Sequence, residues 1–104
     1  MKLVKLLTLD DSENKKITSK EILTLVVKAM PEGGDVEEIV KRSRVLKALK
    51  SANDTNLVIE DADHEKLVAC VKGFKFGAAT IELAEILGEV LNARDAPAVM
   101  QAAE

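Results

Sequence analysis

Asp10, Ser12, Asn14, Ile17 and Glu21 fall on the first, third, fifth, eighth and twelfth positions of a calcium-binding helix–loop–helix motif, whose carboxylates and amides present oxygen atoms to the ion. The sixth position of that loop is normally glycine because the chain turns sharply there; here it is Lys15, followed by Lys16, and two cations oppose a third. The same residues read better as a polar turn between a strand and a helix. A second group, Glu60, Asp61, Asp63 and His64, offers oxygen and nitrogen ligands but lacks a second histidine or cysteine at the three- or four-residue spacing that puts ligands on one helix face. Helix capping and dipole compensation account for these acids.

Nucleophilic chemistry is no better supplied. His64 and Cys70 are the single histidine and the single cysteine among 104 residues. Six positions apart on one helix, they lie about 9 Å apart along its axis and point in different directions. With no paired carboxylates, no nucleophile beside a base and no phosphate-cradling glycine loop, no residue is assigned a catalytic, metal-binding or cofactor-binding role. The lone cysteine, set in an apolar stretch, reads as a small hydrophobe in a reducing compartment, and a cytoplasmic location is expected.

For nucleic acid, the run Lys41, Arg42, Arg44, Lys47 and Lys50 offers phosphate contacts, and Lys72-Gly-Phe-Lys-Phe-Gly77 is the lysine-glycine-aromatic pattern with which RNA-binding sheets stack bases. A nucleic-acid-associated regulator using Lys41, Arg42, Arg44, Lys47, Phe74 and Phe76 is therefore the alternative reading. The overall charge of −3 and the absence of Trp and Tyr argue against it, because neither gives a global attraction to phosphate or a stacking platform. No stretch is apolar for long enough to span a bilayer.

The elements that must position these groups follow from patterning. Lys2 to Leu9 is short and rich in Leu and Val, as a strand would be, and Asp10 to Lys16 is a turn. Thr18-Ser-Lys-Glu21 is a capping box opening a helix from Ser19 to about Met30, which Pro31 and Gly33-Gly34 end. Asp35 caps a second helix reaching about Ala52, amphipathic, with Val36, Ile39, Val40, Ser43, Leu46 and Leu49 on one face. Leu57 to Ile59 is a second strand. Asp61 caps a third helix carrying Leu67, Val68, Val71 and Phe74 inward. Thr80 precedes a fourth, to about Asn92.

The expected fold is mainly α within the α+β class: a small bundle of four helices with a minor two-stranded ribbon, in the order β-α-α-β-α-α. Residues 1–93 form one domain and 94–104 a flexible or short helical tail. On the fourth helix Ile81, Leu83, Ala84, Ile86, Leu87, Val90 and Leu91 cover more than half the circumference, more than one core contact needs, and Gly88 costs roughly 1 kcal/mol relative to alanine, a cost more easily tolerated where another backbone comes close. This surplus predicts a partner interface on Ile81, Leu83, Ile86, Leu87, Gly88 and Val90, and a non-enzymatic interaction or assembly protein that forms homo-oligomers.

In the spacing of its segments the chain resembles a group of small phage-encoded proteins. The matching segments are Ile17-Thr18 with the apolar helix to Met30, the basic stretch Arg42 to Leu49, the strand, acidic turn and helix from Leu57 to Val71, and the glycine turn with the last helix, Gly77 to Asn92. Lys15 departs from the glycine often found in that turn. The resemblance implies an accessory protein that works through contacts with phage structural or host proteins in the bacterial cytoplasm, with no catalytic residues.

Overall fold

A computed structural model describes residues 1–10 and 15–96. The leading apolar segment forms two strands rather than one: β1 (Lys2–Lys5) and β2 (Thr8–Asp10), with the chain redirected at Leu6 and Leu7. β2 returns through β3 (Lys16–Thr18) as a hairpin, pairing Leu9 with Ile17 and Thr8 with Thr18. Ile17-Thr18, expected only as a helix entry, is thus strand as well. Ser19 closes the base of the hairpin, its buried hydroxyl accepting from Leu7 N at 2.7 Å while its own N–H donates to Leu7 O.

Thr18 caps α1 (Ser19–Lys28), accepting from Glu21 N at 3.2 Å, and Asp35 caps α2 (Val36–Ser51), accepting from Glu38 N at 2.9 Å. Between them Gly33 adopts φ +77°, the left-handed conformation that glycine enters without steric cost. β4 (Asn56–Ile59) comes next, then α3 (Asp61–Gly73) and α4 (Ile81–Leu91), the last capped by Thr80 through Leu83 N. Asp61 does not cap α3. Glu60 holds the cap position without a side-chain bond, and Asp61 instead meets the Met1 ammonium at 3.1 Å.

β1 pairs antiparallel with β4, as the two-strand ribbon requires, matching Val4 to Leu57 and Leu3 to Val58. A third strand departs from that expectation: β5 (Arg94–Asp95) adds to the other side of β1, with Lys2 and Asp95 joined at 2.9 Å, so the sheet order is β4-β1-β5. Residues 94–96 are therefore docked rather than part of a tail, and Ala96 is buried. The rest of the expected tail lies outside the described residues. The order is β-β-β-α-α-β-α-α-β, an α+β chain with four helices and two small sheets among the described residues.

The core lies between the inner face of the three-stranded sheet and the helices. Val4, Leu57 and Ile59 meet Leu23, Val26 and Val27 of α1, Val45 and Leu49 of α2, Leu67, Cys70 and Val71 of α3 and Val90 of α4. Aliphatic side chains supply nearly all of it, each worth about 1.5–3 kcal/mol when fully buried.

Candidate functional site

Arg42 has an internal task. It points between α1 and α2, where its Nε donates to Glu38 Oε1 at 2.8 Å and one terminal nitrogen donates to the carbonyls of Val27 and Ala29, at 3.0 and 2.8 Å. Those carbonyls sit at the C-terminal end of α1, where backbone oxygens lack helical partners and the dipole is negative. Lys20 of α1 does the converse, donating to Ala52 O beyond the end of α2 at 2.6 Å. Lys66 of α3 completes the group by pairing with the other Glu38 oxygen. The neighbouring Lys66 and Arg42 hydrogen bonds hold the Glu38 carboxyl below its ordinary pKa.

The inward side of α2 is therefore Glu38, Arg42, Val45 and Leu49, with the first two charged. Val36, Ile39 and Val40 turn to solvent and remain 77, 51 and 52% exposed. Farther along the same outward side stand Arg44, Lys47 and Lys50. Among the described residues Arg44 reaches Asp63 at 3.4 Å, and Lys47 and Lys50 have no ion pair.

The six residues of the nucleic-acid reading do not converge. Lys41 pairs with Glu37 at 3.1 Å and Arg44 with Asp63, while Arg42 is committed internally. At about 100° per residue, Lys41, Arg42, Arg44 and Lys47 are spread around more than half the helix. Phe74 and Phe76 contact each other edge to face, centroids 4.6 Å apart, and pack half-buried against the core.

The predicted interface on α4 is also divided. Ile86 and Val90 are fully buried within the chain, because α4 packs on α3 and β1 through them, and this removes both from an external surface. Leu83, Leu87 and Gly88 are half-buried and Ile81 is 77% exposed. No atom outside the helix itself comes within 4 Å of where a Gly88 Cβ would be, so no close backbone approach within the described chain explains that glycine.

His64 lies in the first turn of α3, where its Nε2 stands 2.9 Å from Val90 O near the end of α4. A carbonyl only accepts, so this nitrogen carries the proton, and His64 serves as a helix-end clasp. Cys70 is buried, and desolvation pushes its thiol pKa up, away from the thiolate that reactivity requires. It lies beneath a cleft of about 900 Å³ between the α1–α2 turn and the end of α3, lined by Val26, Met30, Pro31, Arg42 and Phe74.

In the segment with calcium-loop spacing, Asp10 pairs with Lys16 across the hairpin and Glu21 is on α1, while Ser12 and Asn14 lie outside the described residues. No group of three or more His, Cys, Asp or Glu among the described residues could hold a metal ion. No helix among them is long and apolar enough to cross a membrane. Comparison with family models, with curated proteins and with solved structures found no match.

Sequence reasoning missed the outward triplet Val36, Ile39 and Val40 as a surface, having placed these residues on one face with Leu49. The signal was available in the angles: steps of three residues each lag a full turn by about 60°, and such steps carry the row from Val36 to Leu49 well around the helix.

Proposed function

We propose that this chain is a non-enzymatic protein–protein interaction module that self-associates and serves as an assembly or regulatory accessory factor, of the kind the phage resemblance implies, in a bacterial cytoplasm. One observation carries the reading: three aliphatic side chains of a single helix, Val36, Ile39 and Val40, are each more than half exposed although the chain has a well-filled core. A cluster of this kind loses unfavourable contact with water when a partner covers it. Ile81 and Leu83 of α4 add a second, smaller apolar area to the same reading. The non-enzymatic part rests on the occupation of the reactive side chains: His64 clasps α4, Cys70 is core, and Asp61 and Asp63 each have a cationic partner.

Sedimentation equilibrium over a wide range of protein concentration tests the proposal. A mass that rises from monomer to a defined oligomer supports it. A single monomeric mass throughout the range would overturn self-association.

A further inference from the structure

We propose that the cleft between the α1–α2 turn and the end of α3 binds a small aliphatic monocarboxylate, its chain laid against Met30 and Phe74 and its carboxylate on Arg42. The inference does not depend on self-association. At about 900 Å³ the cleft falls within the size range of small-molecule sites, and its walls are mostly apolar: Val26, Ala29, Met30, Pro31 and Phe74, with the Cys70 thiol beneath. Gly34 makes room for the Met30 side chain, since a Cβ there would stand 3.1 Å from the Met30 sulfur.

Arg42, its side chain 20% exposed, is the least exposed charged group of this lining, and it has a donor to spare. Its Nε donates to Glu38 and its Nη1 to Val27 O and Ala29 O, while Nη2 has no hydrogen bond among the described residues and is not sealed from solvent. Because Arg42 lines the cleft and its other donors are turned to α1 and Glu38, Nη2 is the donor left for an occupant. Charge then fixes the occupant's sign. Four cations, Arg42, Lys66, Lys72 and Lys75, stand around the cleft against two carboxylates, Glu38 and Glu32. The C-terminal ends of α1 and α3 take back roughly half a charge each, which leaves an excess of about one positive charge. A monoanion cancels that excess, a cation would add to it and a phosphate dianion would overshoot it. The carboxylate accepts a charge-assisted hydrogen bond from Nη2, and the aliphatic chain removes the apolar walls from water. Cys70 takes no part beyond packing, since burial holds its thiol in the protonated, unreactive form.

Titration of the full chain with octanoate, followed through backbone amide and arginine Nε–H shifts by NMR, tests the inference. Saturable shifts should centre on Met30, Gly33, Cys70, Gly73 and Lys75 and should include the Nε–H of Arg42. Octanol should bind about tenfold more weakly, the loss expected when one charge-assisted hydrogen bond is removed, and octyltrimethylammonium should not enter the cleft. Ala69→Trp, at an exposed position of the cleft wall, should abolish the octanoate shifts. Octanoate shifts centred on Val36, Ile39 and Val40 would overturn the cleft as the site, as would an unchanged octanoate affinity in a folded Ala69→Trp chain. Octanol or the ammonium binding as tightly as octanoate would overturn the carboxylate. The absence of any saturable shift would overturn the proposal as a whole. The three ligands are compared on the unsubstituted chain, so the outcome stands even where the tryptophan variant does not fold.

Discussion

The two sides of α2 invert the usual rule over the first half of the helix. Toward the protein lie Glu38 and Arg42, about one-quarter and one-fifth exposed; toward water lie Val36, Ile39 and Val40. Over the second half the ordinary arrangement returns, with Val45 and Leu49 inside and Lys47 and Lys50 outside. The difference lies in what each half meets. Val45 and Leu49 belong to the aliphatic core, while Arg42 meets the end of α1, whose carbonyls need donors, so a guanidinium serves there better than a methyl group. The aliphatics displaced outward are then available to a partner.

The contrast can be broken at the inner side first. Leu49→Ala should cost about 3 kcal/mol, because a fully buried leucine loses its transfer energy and leaves a cavity; chemical denaturation measures it. Arg42→Ala should cost about 2 kcal/mol through the two carbonyls it leaves without a donor, and Arg42→Lys should recover little, since an ammonium does not reproduce the planar fork.

The same cluster gives a pH dependence. Glu38 has its folded pKa below the unfolded value, so its contribution is present above the ordinary glutamate pKa and is lost as pH falls through the depressed folded value. Thermal melts between neutral pH and about pH 3 should show this acid loss, and it should be smaller in Glu38→Gln, which no longer titrates.

On α4, Gly88→Ala should raise stability by about 0.5–1 kcal/mol, since the new methyl group meets open space and alanine favours the helix. A loss on oligomerisation instead would mean that a second chain uses the glycine. Smallest of all, Val40→Ser on the outer side of α2 should change the stability of the dilute chain by less than about 0.5 kcal/mol. Leu49→Ala and Val40→Ser, on one helix, should thus differ by about 2 kcal/mol or more.

Helix order and three of the four caps were legible from the chain itself; Asp61 was not a cap. Thr18, Asp35 and Thr80 are side-chain acceptors standing three residues before the amides they satisfy, a purely local relation. The pairing of the Leu3 and Leu57 segments followed from their being the apolar runs too short for helices. β5 was not legible, because Arg94-Asp95 carries no strand preference and pairs with β1, far away in sequence. The orientation of α2 was hidden for a similar reason: Arg42 looks like any surface cation until the unfilled carbonyls of α1 are known to face it. His64 likewise showed its type but not its partner, since Val90 O is 26 residues on.

The exchange of donors between α1 and α2 bears on dynamics. Lys20 closes the end of α2 and Arg42 closes the end of α1, so neither helix can fray at its C-terminus without releasing a bond made by the other. The two helices are therefore expected to open as one cooperative unit. Backbone amides of both should exchange with deuterium at a common opening free energy, and Arg42→Ala should lower that value in α1 as well as in α2.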